Sequence, residues 1–298
     1  MLYDIRLSID YHYDAAADSG RHVLRMLPRT IEGVQRVVAA SLDCDPLPVE
    51  RSDRVDFFGN AVSTLRYDRP LERESFLMRA RVERLPGQGT AGAPTSLGAL
   101  PAELAVLRDI GPDSPQHYLA PSPRVGFDAG VTDWAMTTTA GASDVRDAAW
   151  RVCSGLHAEM AFDPEVTAVD TPLAEAFAAR HGVCQDFTHI MIGALRVLGI
   201  PAGYVSGFLR TNPPEGQARL EGADAMHAWV RAWCGRDAGW IEFDPTNDMV
   251  AGEDHVVVAF GRDYFDVAPI KGNMRTSGGQ KSRQRVDMIP QDEGGPAT

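Results

Sequence analysis

Seven of the chain's 20 prolines fall between positions 86 and 123, at Pro86, Pro94, Pro101, Pro112, Pro115, Pro121 and Pro123. Proline donates no backbone hydrogen bond and restricts the residue before it, so no long helix or central strand can run through this stretch. It reads as a linker with one short helix, and it divides the chain. Before it, Leu2 to Tyr13, Val55 to Tyr67 and Ser75 to Val82 are runs of strand type. Gly59-Asn60, between two apolar segments, is a hairpin signal because both residues tolerate positive φ. After it, Val145, Ala149, Val152, Leu156 and Met160 recur at helical steps behind Ser143 as a candidate cap. Thr171-Pro172 starts a second helix that should stop near His181-Gly182, and Phe187, Met191, Ala194, Leu195 and Leu198 line a third. Gly203 to Leu209, Ala225 to Trp233 and Gly239 to Asp244 are strand candidates. The expected fold is α+β, with a β-rich N-terminal domain over residues 1–85, a Pro/Gly-rich linker over 86–129, and helices on an antiparallel sheet over 130–298.

Composition narrows the classes. With 298 residues, 44% of them hydrophobic, the chain can bury a sizeable core. Its net charge of −12 would repel a polyanion over most of the surface, so nucleic acid is not an expected partner. Asp4 and Arg6 interrupt the segment in which an export signal would need a continuous apolar run. Every apolar stretch ends well short of the roughly 20 residues that span a bilayer. Cys44, Cys153, Cys184 and Cys234 show no C-x-x-C spacing, so reduced thiols in a cytoplasm are expected.

Of the four, Cys184 stands apart. It opens a helix just after Gly182, and a helix N-terminus favours the negative thiolate, the form that attacks. The other three are read as small apolar core residues. Candidate bases lie downstream at His227 and Asp244. A two-residue loop at Gly235-Arg236 would set Cys234 opposite Asp237, and the same register carries His227 opposite Asp244 on one face. The carboxylate could then orient the imidazole, as a nucleophile–base–acid triad requires. In that register Trp229 and Trp240 share the face of the pair and are candidate apolar walls for substrate.

These words resemble the bacterial transglutaminase-like proteins, relatives of the papain-type cysteine enzymes. The matching segments are Arg180-His181-Gly182-Val183-Cys184-Gln185-Asp186-Phe187, Asp224-Ala225-Met226-His227-Ala228-Trp229-Val230 and Trp240 to Asn247. Asp56-Phe57-Phe58-Gly59-Asn60 is similar to the β-domain that accompanies this subgroup, and Gly261-Arg262-Asp263-Tyr264-Phe265-Asp266-Val267 to its C-terminal signature. Met226 and Phe265 depart from the pattern at positions that touch substrate fit. The resemblance implies a papain-like or transglutaminase-like core, with Cys184 as nucleophile, His227 as general base and Asp244 as its orienting carboxylate. It implies a thioester intermediate on a peptide or protein substrate, passed to water by a peptidase or amidase (hydrolase), or to an amine by a transglutaminase (acyltransferase). A reading from another class keeps the triad in a binding or assembly protein whose β-domain recognises another protein. The backbone N–H of Cys184 is a candidate oxyanion donor, with Gln185 and Trp229 as nearby candidates for a second.

Other signals are weaker. Gly87-Gln88-Gly89-Thr90-Ala91-Gly92 fits G-x-G-x-x-G, but Pro94 stands where the nucleotide-binding helix should run, so no dinucleotide cofactor is expected. Asp43-Cys44-Asp45-Pro46 lacks the glycine and bidentate Glu of a calcium loop. His181, Cys184, His189, His227 and Cys234 offer soft ligands, yet only an H-x-x-C spacing, so no metal is expected. The basic run from Lys271 to Arg285 reads as a solvated loop and edge strand.

Overall fold

The computed structural model describes residues 1–86, 92–164, 168–211, 225–275 and 277–291. Residues 87–91 of the glycine motif and Asp224 of the histidine motif lie outside the described residues. Strand β1 (Leu2–Leu24) is followed by β2 (Gln35–Asp45), β3 (Glu50–Val55), β4 (Ala61–Tyr67) and β5 (Leu71–Arg84). Further on come α1 (Leu100–Val106), a 3-10 turn at Pro115–Tyr118, α2 (Ala129–Thr138), α3 (Val145–Glu159), β6 (Ala161–Phe162), α4 (Leu173–Ala179), β7 (His181–Gly182) and α5 (Cys184–Val197). The chain continues through β8 (Ala202–Leu209), β9 (Ala225–Trp233), β10 (Trp240–Asp244), β11 (Met249–Val250), β12 (His255–Gly261), α6 (Tyr264–Val267), β13 (Ile270–Arg275) and β14 (Gln280–Gln291).

Strand β1 is about twice the length that its first alternating run suggests, and it serves both ends of one curled, seven-stranded sheet. Residues 2–12 lie between β5 and β14, with β2 beyond β5; residues 20–24 lie between β4 and β13, with β3 beyond β4. Register shifts after His12 and after Asp18 bend the strand where it changes neighbours. Tyr3, Ile5, Leu7 and Ile9 alternate onto the buried face with Phe76, Met78, Val82, Val286 and Met288. Strands β13 and β14 therefore correct the expected division: residues 270–291 fall in the stretch assigned to the helical core, yet complete the N-terminal sheet. The Gly59-Asn60 hairpin also forms with a longer loop than a two-residue turn, since Val55 pairs Ala61.

The proline-rich stretch is not an open linker where it is described. Leu100, Leu104 and Tyr118 are buried in it, and Thr95 N–H donates to the Cys234 carbonyl at 2.9 Å. Arg196, near the end of α5, shows what holds it. Its guanidinium is buried and donates to the carbonyls of Ala120, Ala202 and Arg262 and to Ser122 Oγ, at 2.7–3.2 Å. Burial, opposed by Asp263, pushes this group down to about 10. Helix α5 is buried from Gln185 to Arg196 on every side, which makes it the central helix, with α2, α3 and α4 around it. Caps come from Asp128 for α2 and Asp144 for α3, one residue after the expected Ser143, while Arg180 at φ 57° ends α4 before Gly182 is reached. None of the described helices is long and apolar enough to cross a membrane.

The second sheet is antiparallel throughout, in the order β11-β10-β9-β8-β12, so β12 is an edge. An edge strand exposes unpaired backbone groups, and here two amide side chains from the N-terminal part occupy them. Gln35 Nε2 donates to the Val257 carbonyl at 2.8 Å and its Oε1 accepts from Val257 N–H at 2.9 Å. Asn60 repeats the arrangement on Phe260, with both bonds at 2.8 Å. Each amide thus acts as a short piece of neighbouring strand. An Asn60→Ala variant leaves both backbone groups of Phe260 unpaired in a buried interface. At about 1–3 kcal/mol per group it should lower unfolding free energy by about 3 kcal/mol in chemical denaturation. A loss below about 0.5 kcal/mol would show that the edge is held by something else.

Candidate active site

Cys184 is the first residue of α5, and it is partly exposed while Cys44, Cys153 and Cys234 are buried. The helix can start there because the Val183 N–H donates to Asp186 Oδ2 at 2.8 Å. Gly182 is required beside it, since a Cβ at that position would meet Asp186 Oδ2 at 2.6 Å. Burial pushes the thiols of Cys44 and Cys234 up to about 11 and about 12, and that of Cys153 higher still.

His227 and Asp244 meet, by a register two residues away from the expected one. Trp233 pairs Trp240 and Val230 pairs Phe243, because the loop spans residues 235–238, opened by Gly235 at φ 113° and followed by Gly239 at φ 66°. Continuing that register sets Asp244 opposite Trp229, so His227 is its diagonal neighbour. An even shift leaves every side chain on its face, whereas a shift of one would have turned the pair apart. His227 Nε2 donates to Asp244 Oδ2 at 2.7 Å. Cys184 lies close enough to act on this imidazole. Burial works against charge on His227, but the hydrogen bond to Asp244 and then the nearby Cys184 outweigh it and push the imidazole up to about 10.

Asp244 is fully buried, which opposes its ionisation. Hydrogen bonds from His227, His255 and Asn247 override that and hold its carboxyl well below the usual range. Its Oδ2 accepts from His227, from His255 Nε2 at 3.1 Å and from Asn247 Nδ2 at 2.7 Å; its Oδ1 accepts the backbone N–H of Thr246 at 3.0 Å and of Asn247 at 3.2 Å. His255 has no counterpart in the sequence reading. The available signal was a histidine opening the otherwise apolar run Val256 to Phe260. Tyr204 is a second addition, buried near Cys184; desolvation first and then that sulfur push its phenol well above its ordinary range, so it stays protonated.

The candidate substrate contacts Trp229, Trp240 and Gln185 are each engaged by other groups of the protein. Trp229 is fully buried and so forms no open wall; it stacks on His227 at 6.0 Å, meets His255 edge-on at 5.0 Å, and donates to Glu242 Oε2 at 2.6 Å. Gly207 makes room for it, because a Cβ there would lie 2.4 Å from the indole. Trp240 keeps the face of Asp244 but sits four residues along β10, about 13 Å away. It packs on Tyr118 and Arg231 and donates to the Asp113 carbonyl. Gln185 Nε2 donates to the Val169 carbonyl at 2.8 Å, which commits its amide to that loop instead of an oxyanion. His189 is buried behind the helix start, accepts from Tyr264 N–H, and is pushed down to about 4, first by burial.

Among the described residues, His227, Asp244 and His255 form the group whose ligand atoms lie within 4.8 Å of one another. Ligand atoms of a tetrahedral zinc stand about 3.4 Å apart by its bond lengths, so the observed 2.7 and 3.1 Å suit shared protons and would have to open to admit an ion.

The chain is similar to known proteins in sequence and in fold. Residues 132–245 match the transglutaminase-like superfamily and residues 3–83 match the bacterial transglutaminase-like N-terminal region. An uncharacterised protein of Mycobacterium tuberculosis is 32% identical over 277 residues, covering 86% of this chain and 82% of its own length. A Mycobacterium leprae protein is 44% identical over 110 residues, 37% of this chain and 38% of its own. The crystal structure of a candidate cysteine protease from Cytophaga hutchinsonii superposes with a TM-score of 0.76 at 21% identity, over 99% of this chain and 92% of that one. With both sequence regions matched and the fold shared along the whole chain, the protein belongs to the bacterial transglutaminase-like family.

Proposed function

We propose that the protein is a cysteine-nucleophile enzyme that hydrolyses amide bonds of a peptide or protein substrate. One observation carries this: a single imidazole, His227, is hydrogen-bonded to a buried carboxylate and lies close to a partly exposed cysteine at a helix start. An imidazolium beside the sulfur favours the thiolate. The Cys184 sulfur adds to the amide carbonyl carbon, and the oxygen takes the negative charge against the backbone N–H of Cys184. As the C–N bond breaks, His227 gives its proton to the leaving amine, and a thioester remains. Water, giving a proton to His227, then attacks the thioester. A carboxylic acid leaves and the thiolate–imidazolium pair returns. Asp244 stays ionised and holds His227 with its Nε2–H inward, so the other nitrogen exchanges the proton.

Iodoacetamide tests the pair without knowledge of substrate. At pH 7 Cys184 should be alkylated well before Cys44, Cys153 and Cys234, and His227→Ala should slow its labelling by about tenfold. Equal labelling of the four cysteines in the folded protein would defeat the proposal. The pH dependence has a definite sign. The imidazolium is present below the raised value and lost above it, so amide turnover should fall on the alkaline side as pH passes about 10.

Products decide the acyl acceptor. Incubation with a mixed peptide and glutamine-peptide library should release shortened peptides or glutamate whether or not a primary amine is added, as read by mass spectrometry. Amine adducts as the main product would make the enzyme an acyltransferase with the same nucleophile. No turnover by a protein whose Cys184→Ser variant fully restores a deletion phenotype would make it a binding or assembly protein.

A further inference from the structure

The reaction above uses three side chains, and a fourth lies inside the same hydrogen-bond network without a role in it. We propose that His255 is a positioning residue that clamps the Asp244 carboxylate through the same oxygen that holds His227, and so sets the direction of the His227 imidazole. The inference rests on the proposed Cys184–His227 pair.

The tautomer of His255 follows from its neighbours. Its Nδ1 accepts the backbone N–H of Gly252 at 3.2 Å, so that nitrogen carries no proton, and Nε2 must donate to Asp244 Oδ2 at 3.1 Å. The opposite tautomer would set an N–H against an N–H at one end and a lone pair against a carboxylate at the other. His255 is therefore a one-way donor whose direction is fixed by backbone. Its own N–H returns to the Gly252 carbonyl at 3.1 Å, closing a small loop that fixes the ring's root. Arg84, from β5, donates to that same carbonyl at 2.9 Å, and Gln35 holds β12 at Val257, further along the same strand. The anchor thus runs through backbone into the N-terminal sheet.

At its other end the ring is gripped by Trp229, which meets it edge-on at 5.0 Å while stacking on His227. The two imidazoles lie 6.2 Å apart at 46°, with Oδ2 accepting from both. At 1% exposure His255 does not touch substrate. Its effect must pass through Asp244. A carboxylate bonded to His227 alone could rotate about its last torsion and carry the imidazole with it. With His255 and Asn247 also donating to Oδ2 and two backbone N–H groups on Oδ1, that rotation breaks several bonds at once. His227 can exchange its proton with the sulfur while Oδ2 keeps a permanent donor.

Two measurements test this. In the wild-type protein with 15N-labelled histidine, His255 should show a protonated Nε2 and an unprotonated Nδ1 at neutral pH. A protonated Nδ1 would overturn the proposal, and this result depends on no variant folding. Second, the rate constant for iodoacetamide alkylation of Cys184 is compared in wild type, His255→Leu and His255→Gln. The Gln side chain keeps an N–H donor, and its oxygen can accept from Gly252. The expected result is a loss of about tenfold in His255→Leu, the scale of one hydrogen bond to a charged group, and recovery to within about threefold in His255→Gln. A Leu variant that folds and labels Cys184 at the wild-type rate, or a Gln variant as slow as Leu, would reject a role through the donor. Slow, non-selective labelling of Cys184 in the wild type would instead reject the Cys184–His227 pair itself, which keeps the two failures apart.

Discussion

A carboxylate removed from water must be surrounded by hydrogen-bond donors, or the several kcal/mol that its desolvation costs are not offset. Asp244, with no exposed surface, collects five. They come from β9, from the turn after β10 and from β12, so the burial of one charge fixes three segments with respect to each other. The histidine that faces the cysteine is one of those donors. Its orientation is thus a by-product of satisfying the charge. The requirement extends outward, because β12 can hold its own donor in place only if its free edge is covered, and Gln35 and Asn60 cover it. The N-terminal sheet, which carries none of Cys184, His227 and Asp244, is connected to them through that edge.

Buried cations are treated in the same way with opposite partners. Arg196 is held by carbonyl oxygens from three separate stretches. Arg231 lies among the rings of Trp240, Phe260 and Tyr118 at 4.0, 4.4 and 5.4 Å and pairs with Asp113 at 2.8 Å. Both draw on the proline-rich stretch, through Ala120 and Ser122 in one case and Asp113 and Tyr118 in the other. A segment with few regular backbone bonds of its own is thereby fastened by guanidinium groups. A flexible carboxylate–lysine pair would not give the same planar, multiple attachment.

What the sequence discloses and what it hides differ for physical reasons. The helix that starts at Cys184 is legible because glycine, a helix start and an apolar period coincide. The His227–Asp244 face is legible although its register is not: side chains alternate strictly along a strand, so parity survives a wrong loop length. The loop length itself depended on Gly239 taking positive φ, which no alternation pattern reveals. The return of β13 and β14 to the N-terminal sheet is hidden for another reason. Residues 280–285 of β14 are exposed and polar, so they lack the half-buried pattern by which a strand is read. His255, Gln35 and Asn60 are single polar residues whose partners are far away in sequence, and their meaning exists only once the chain has folded.

The position of β14 beside β1 also bears on how the protein comes into being. Leu2 pairs Gln291, so β1 finds one of its two neighbours only in a segment far along the chain from it. Until the two meet, β1 exposes an open edge, with β5 on its other side. Chain entropy makes such a distant closure slow, and an unpaired edge is a template for other nascent strands. The arginines and lysines of β14 and the charged residues that alternate along the outer face of β1 are then more than surface solubility. Before the seam closes, they make both of its edges poor templates for another chain.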